Sequence, residues 1–293
     1  MVISHILGGI GNQMFQYAAG RALSLSTDQT HSLDLNDFTD YQLHNGFELE
    51  RVFNIDKVVK STSSNIQELL GWRANSFAKK VLRRSPFTRL RGPSFVVEPH
   101  FNYWPAFFKL DHDCYLYGYW QSEQYFKDFA DIIRQDFAFK IPLDERNKKV
   151  GLEMANTQSV SLHVRRGDYV SDPKNSNIMH ICSLEYYRQA INHIIKRIEQ
   201  PVFYIFSDDM AWVKEHLSIE FPCVYIDHNS GSESYRDMQL MSLCKHHVIA
   251  NSSFSWWGAW LNANPEKTVI APKNWFRNGN NDSDLIPDEW IRI

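Results

Sequence analysis

Between residues 158 and 271 the chain switches repeatedly between short apolar or alternating runs, such as Ser159-Val160-Ser161-Leu162, and longer runs with helical spacing. Val160 to Val164, Val202 to Phe206, Cys223 to Ile226, His247 to Ala250 and Thr268 to Ala271 read as strands. Between them lie helical patterns, the clearest from Leu184 to Ile198, whose apolar face is Leu184, Tyr187, Ile191, Ile194, Ile195 and Ile198. Asp209 to Leu217, Tyr235 to Cys244 and Phe254 to Asn262 complete the series. Strands separated by helices become neighbours through crossovers, so this half predicts a doubly wound parallel sheet of an α/β protein. At 293 residues the chain is long for one core and two domains are expected. The boundaries read as 1–145 and 158–293, with 141–158 as the connection because it holds Pro142 and a charged centre.

In a parallel sheet every strand delivers its carboxyl end to one edge, where ligands bind. The first strand runs into His163-Val164-Arg165-Arg166-Gly167-Asp168-Tyr169. Two adjacent guanidiniums at such an edge need an anionic partner, and their forks match phosphate oxygens in pairs. A plain surface Arg/Asp cluster is the competing explanation. Other strands end in Ser207 and Asp208, in Asp227, and in Asn251, Ser252 and Ser253. The convergence points to a nucleotide-bearing ligand with a diphosphate.

The opening residues form a second anion-binding pattern. Val2 to Leu7 reads as a buried strand, Gly8-Gly9-Ile10-Gly11 as a tight loop and Asn12 to Leu25 as a helix. That arrangement aims backbone N–H groups at a ligand, with Gly11, Asn12 and Gln13 at the helix start. Met14 stands where a dinucleotide fingerprint has its third glycine, and no Gly-Lys-Ser/Thr follows as a P-loop requires. From about Asp28 to Lys140 the pattern is less regular, apart from an aromatic strand, Tyr115 to Trp120. Ser61 to Arg91 reads as a surface helix and loop whose basic residues form a solvated face, with membrane contact as the alternative.

Several classes are excluded by composition. A net charge of −3 lacks the basic excess of a nucleic-acid binder. Four cysteines without a Cys-x-x-Cys pair demand neither zinc nor an oxidising compartment. Met1 to Gly20 lacks Asp, Glu, Lys and Arg, but it has no basic start and is interrupted by glycines, Asn12, Gln13 and Gln16. A cytosolic protein without a membrane span is expected. Asp111-His112-Asp113 matches the metal-binding Asp-x-Asp string, yet it precedes a strand instead of following one and reads as a turn; no metal site is expected. Asp282-Ser283-Asp284, in an Asn-rich tail, is a weaker match still. Trp256, Trp257 and Trp260 have helical spacing and read as core, whereas Tyr119, Trp120 and Tyr125 read as candidates for stacking on a sugar.

Four segments together are similar to the signature blocks of the α-1,2-fucosyltransferases of glycosyltransferase family 11. They are Gly8 to Tyr17, His163 to Tyr169, Phe206-Ser207-Asp208-Asp209, and Asn251 to Trp260. Tyr41 to Phe53 and Gly118 to Glu123 also resemble that family, and the short chain without an anchor resembles its bacterial members, which build O-antigen or milk-type oligosaccharides. The resemblance implies a GT-B-like architecture, two Rossmann-type domains facing a cleft, the first on the acceptor side and the second binding the donor. It implies GDP-β-L-fucose as donor and transfer with inversion to the 2-hydroxyl of a galactose in an oligosaccharide or lipid-linked glycan. By the same resemblance Arg165 grips the β-phosphate with Arg166 in support, His163 and Asp237 touch the guanine, Ser253 meets a phosphate, and Asn12 closes over the diphosphate and fucose. Gly11, Gln13, Ser207, Asp208, Asn251 and Ser252 complete the expected donor contacts, and His44, Tyr119, Trp120 and Glu123 the acceptor contacts. Asp168 is either the catalytic base or a partner that orients the arginines; Glu98, His44 and Glu123 are further candidates for the base. Because arginines can offset the leaving-group charge, activity without a metal or other cofactor is expected. Peripheral association with the inner membrane face accompanies the cytoplasmic expectation. The alternatives are a transferase for another GDP-deoxyhexose and a non-catalytic glycan-binding protein.

Overall fold

The computed structural model describes residues 1–39, 45–55, 59–167, 170, 172, 177–277, 279 and 281–293. They form two units, one of Met1–Lys140 with Ser283–Leu285, the other of Ile141–Asp282 with Ile286–Ile293. Each is built on one parallel sheet.

In the first unit β1 (Val2–His5), β2 (His31–Asp34), β3 (Val59–Lys60), β4 (Phe95–Val97) and β5 (Cys114–Tyr117) take the order β3-β2-β1-β5-β4. Val2 lies opposite His31 on one side and Cys114 on the other, so β1 is central. Its helices are α1 (Ile10–Ser26), α2 (Leu49–Val52), α3 (Ser63–Leu70), α4 (Ser76–Leu82) and α5 (Ala130–Asp136). The crossover helix α1 carries one charged residue, Arg21, and is buried on most sides. One face of the sheet closes over Ile3, Ile66, Leu70, Leu82, Phe95 and Tyr115. The region was hard to read in sequence because its strands are two to four residues long and 3-10 turns at Asn36–Phe38, Gly71–Ala74 and Ser85–Leu90 break the period.

The second unit contains β6 (Gln158–Val164), β7 (Pro201–Ser207), β8 (Cys223–Ile226), β9 (His246–Val248), β10 (Val269–Ala271) and β11 (Ile291–Arg292), ordered β11-β10-β9-β6-β7-β8. Five of these match the expected strands; the sixth pairs Ile291 with Ile270 and is too short to leave a pattern. Its helices among the described residues include α6 (Glu145–Ala155), α7 (Leu184–Ile195), α8 (Met210–His216), α9 (Tyr235–Leu243) and α10 (Ser253–Leu261). Ser183 Oγ caps α7 by accepting the Tyr186 N–H at 3.2 Å, a contribution of about 1 kcal/mol. Tyr187, Ala190 and Ile194 of that helix close one face of the sheet with Leu162, Ile205 and Val248. Met154, Leu240 and Met241 close the other with Tyr204 and Phe206. Helices therefore cover both faces, as the alternating pattern requires. The segment read as a connection carries α6, started by Asp144 accepting the Asn147 N–H at 2.9 Å, and it belongs to this unit.

Candidate active site

In the second unit the chain runs outward from β6 through β7 to β8, then returns by α9 to β9 on the other side of β6. The winding reverses between β6 and β9, the place where open parallel sheets bind ligands. Two segments end there: the arginine pair after β6, and Asn251, Ser252 and Ser253 ahead of α10.

Arg165 Nη1 lies 3.1 Å from Asp208 Oδ2, at the end of the adjacent strand, and both side chains are about one quarter exposed. The backbone N–H of Arg166 donates to Asp208 Oδ1 at 2.9 Å. One carboxylate thus fixes both arginines. A Cβ on Gly167 would stand 2.6 Å from that same Asp208 Oδ2, so the approach needs glycine. Arg166 points elsewhere: its guanidinium lies 3.7 Å over the Trp212 ring, with Nε 3.4 Å from Asp209 Oδ2. Asp209 also caps α8 by accepting the Trp212 N–H at 3.2 Å, and its own N–H donates to Ser207 Oγ at 3.0 Å. Ser207 and Asp208, expected as donor contacts, are therefore engaged in shaping the arginine loop. Arg166 is held by Asp209, which lies in one of the four segments but carries no expected role there, and by Trp212, which the sequence does not single out.

His163, two residues before Arg165, is 5% exposed. Burial lowers its pKa to about 4, against the pull of Asp208 and with the push of Arg165, so the imidazole is neutral. Its Nδ1 is buried without a hydrogen-bond partner among the described residues. Asn251, expected to touch the donor, is instead fully buried: Nδ2 donates to the carbonyls of His180 and Trp275, and Oδ1 accepts from Cys182 Sγ. A polar residue at that bend satisfies loop carbonyls that would otherwise be stranded. Ser252 is the N-cap of α10 in extended backbone and Ser253 its first residue, with no acidic group in the first turn.

Asp237 sits in the first turn of α9, and burial raises its pKa to about 7 against one bond from Asn229 Nδ2 at 2.8 Å. Asn229 is tied to the fully buried Asn147 of α6, whose Nδ2 donates to it at 3.0 Å and to Asp144 at 2.9 Å. The sequence carries no pattern for this amide relay, which lies partly in the segment expected to connect the domains.

In the first unit the same reversal falls beside β1, next to the loops that follow β1 and β5. Gly8 has φ 82°, a left-handed conformation open to glycine, and α1 begins two residues on. Gly11 is buried within that first turn. Gln13 is fully committed: Nε2 donates to Gly8 O and Gly46 O, both at 2.8 Å, while Oε1 accepts the Glu48 N–H. It is a brace, not the expected donor contact. Asn12 is half-buried, its Oδ1 accepting from Gln121 Nε2 at 2.8 Å.

Glu98, weighed as a base, accepts the N–H groups of Tyr119 at 2.7 Å and Trp120 at 2.9 Å. Burial raises its pKa to about 7 against those two bonds. With both oxygens engaged it is an anchor for the loop after β5, where Trp120 has φ 55°. Trp120 itself is 1% exposed, edge-on to Tyr125 and tilted on Phe107, so it is core and not a sugar platform. Tyr125 is buried too. Tyr119, half-buried, stacks on Phe101 at 6.3 Å, and Glu123 is half-buried in a 3-10 turn. His44 and Asp168 lie outside the described residues.

Asp111 and Asp113 are exposed in the turn before β5. Asp282 and Asp284 accept backbone N–H groups of Trp275 and Tyr103. Among the described residues no three His, Cys, Asp or Glu side chains cluster as a metal site, and no helix is long and apolar enough to cross a membrane. Trp256, Trp257 and Trp260 are buried.

An architecture of two parallel α/β sheets is shared with solved fucosyltransferases. The chain is similar to NodZ α-1,6-fucosyltransferase from Bradyrhizobium, solved after soaking with GDP-fucose: TM-score 0.55 at 14% identity, covering 89% of this chain and 91% of that one. The likeness establishes a GT-B-like fold. In sequence it is 35% identical to an α-1,2-colitosyltransferase of Escherichia coli over 100% of this chain and 99% of that protein. It is also 35% identical to the Escherichia coli O-antigen biosynthesis glycosyltransferase WbnK, over 99% of each. Galactoside α-(1,2)-fucosyltransferase 1 of Saimiri boliviensis boliviensis is more distant, at 26% over 63% of this chain and 51% of its own. The sequence model of glycosyl transferase family 11 matches residues 4–293, and the chain belongs to that family of enzymes.

Proposed function

We propose that the enzyme transfers L-fucose from GDP-β-L-fucose, with inversion, to the 2-hydroxyl of a terminal galactose. One observation carries the reading: a guanidinium held at the switch point by a carboxylate on the neighbouring strand, Arg165 on Asp208 at 3.1 Å. In the reaction the bond from fucose C1 to the β-phosphate breaks and GDP leaves with the electron pair. Galactose O2 bonds to C1 from the opposite face, and its proton passes to a base, for which Asp168 is the carboxylate nearest Arg165 in sequence. Donors fixed in advance at the site of developing charge are usually the largest catalytic contribution. Arg165 supplies that charge, and the N–H groups opening α10 add about 0.3–1 kcal/mol.

Asp237 is assigned to the guanine. Its carboxylate can accept the paired N1–H and amino donors, a pattern uracil lacks, which favours GDP over UDP. Neutral His163, with a ring nitrogen left unsatisfied, is assigned to the same base. Because a fixed guanidinium offsets the leaving charge, the transfer is proposed to need no divalent cation. A cytoplasmic enzyme acting on an oligosaccharide or lipid-linked O-antigen unit follows, supported by the likeness to WbnK.

The 35% identical colitosyltransferase favours a second reading, in which the donor sugar is colitose. Incubating the protein with lactose and either GDP-fucose or GDP-colitose, then analysing the linkage, separates the two. An α-1,2-fucosylated lactose supports the first reading, and turnover of GDP-colitose alone supports the second. Failure of both donors, with no GDP binding by calorimetry, removes both and leaves a glycan-binding protein.

A further inference from the structure

The first unit carries a surface that the donor chemistry does not use. From Leu69 to Val97 the sequence has seven Lys and Arg and no Asp or Glu, in a chain whose net charge is −3. The segment folds as a knob of the 3-10 turn Gly71–Ala74, α4 and the 3-10 turn Ser85–Leu90. Lys79, Arg73 and Arg91 tie the knob together from within. Lys79 reaches the buried Asp34 at 3.0 Å, Arg73 Nε donates to Leu90 O at 2.6 Å, and Arg91 Nε donates to Leu82 O at 2.7 Å. Leu70 and Leu82 point into the core. The rest of the knob faces outward: Lys80, Arg84 and Arg89 are exposed, as is Arg83, whose Nη1 donates to the Tyr117 hydroxyl at 2.8 Å. Among these cations stand large apolar side chains that the fold leaves in water, Phe77 at 74%, Trp72 at 57% and Leu90 at 51% exposure. Phe77 and Lys80 are three residues apart on α4 and so share a face.

We propose that this knob docks the enzyme on an anionic lipid bilayer. Charge complementarity selects the partner: a cationic surface on a net acidic protein is drawn to acidic headgroups. The apolar side chains select a bilayer among anionic partners, because Trp and Phe settle at headgroup depth while Lys and Arg stems run along them to the phosphates. The inference does not depend on which sugar nucleotide is used, although it places the enzyme where a lipid-linked acceptor would be.

Co-sedimentation of the full chain with vesicles tests it without turnover. Vesicles of phosphatidylglycerol and phosphatidylethanolamine should bind the protein at low salt, and pure phosphatidylcholine vesicles should not. Salt should weaken the binding through screening. Replacing Lys80, Arg84 and Arg89 by Glu should lower partitioning by about fivefold or more for each cation lost. Phe77→Ser with Trp72→Ser should lower it several-fold with every cation in place, while melting temperature and turnover on soluble lactose stay at wild-type values. Absence of wild-type binding to the acidic vesicles at low salt overturns the proposal. So does undiminished binding by the Phe77→Ser, Trp72→Ser variant, or displacement from vesicles by equivalent amounts of duplex DNA.

Discussion

The guanidinium of Arg165 and the carboxylate of Asp208 meet at 3.1 Å across the ends of two adjacent parallel strands, β6 and β7. The pair leaves the arginine fixed before any ligand arrives, so little of its binding energy goes into ordering a flexible side chain. Arg165→Ala should reduce turnover by about 100- to 1,000-fold, the usual consequence of losing one fixed donor to a developing anion. Because the side chain is partly exposed, the melting temperature should stay close to wild type. Arg165→Lys keeps the charge but not the fork and should fall between the two. Near-normal kcat in Arg165→Ala at equal thermal stability would remove the arginine from the mechanism.

Gly167 and Asp208 form a coupled pair. A methyl at 167 collides with Asp208 Oδ2, so Gly167→Ala should push the carboxylate off Arg165 and off the Arg166 N–H. Asp208→Asn weakens the same contact electronically. Each variant should lower kcat, and the double variant should be little worse than the poorer single one, since both act through one contact. Additive losses in a double-mutant cycle would show that glycine matters for a different reason.

The pH dependence of donor binding should follow Asp237. In the free protein this carboxyl titrates near 7, above its ordinary value of 3.8. Between those values the folded chain binds more protons than the unfolded one, so this group's ionisation lowers stability as pH rises from 3.8 and does so fully above 7. Donor binding through the proposed contact has the opposite sign, because guanine N–H groups placed on Asp237 would need the ionised carboxylate. The Kd for GDP should therefore rise as pH falls below 7, approaching about tenfold per pH unit. His163 stays neutral down to about 4 and adds nothing in that window. Asp237→Asn should bind weakly with a flat profile, whereas Asn229→Ala, by removing the bond that lowers the pKa, should move the profile to higher pH. Calorimetry across this range reads all three; a flat wild-type profile would detach Asp237 from the guanine.

Transfer should continue in excess EDTA. The expectation rests on Arg165 carrying the charge that a divalent ion supplies in metal-dependent transferases. Loss of activity restored by added Mn²⁺ or Mg²⁺ would show that the arginine alone is insufficient.

How far the sequence revealed this depended on the range of the interactions. β7, β8 and β10 were legible as continuous apolar runs and β6 from its alternation of Ser159, Val160, Ser161 and Leu162, while helices such as α7 keep an apolar face between them. The place of Arg165 at a strand's carboxyl end was legible because it directly follows the run that ends at Val164. The use of Asp208 was hidden, since it depends on the register that sets Val164 beside Ser207. Asn251 was misplaced because its partners, His180 and Trp275, come from distant segments. Trp120 was misplaced because the left-handed turn at that residue, held by Glu98, ends the strand's alternation and turns the ring inward. β11, two residues long, carried no period at all.

Glu98 offers the sharpest test of the first unit. Its oxygens satisfy two backbone N–H groups in the loop where Trp120 holds a conformation that β-carbon residues avoid. Glu98→Ala strands both donors, each at a cost of about 1–3 kcal/mol, and should shift urea unfolding accordingly. Glu98→Gln keeps one acceptor and should cost less. The pH response also distinguishes the variants. A carboxyl raised from 4.5 to about 7 makes the fold less stable as pH rises through that interval, and this component of the slope should vanish in Glu98→Gln. Gln121, one residue past Trp120, is what reaches Asn12, so displacement of the loop should lower kcat beyond the loss of folded protein. Wild-type stability in Glu98→Ala would mean that burial of the Trp120 ring alone holds the turn.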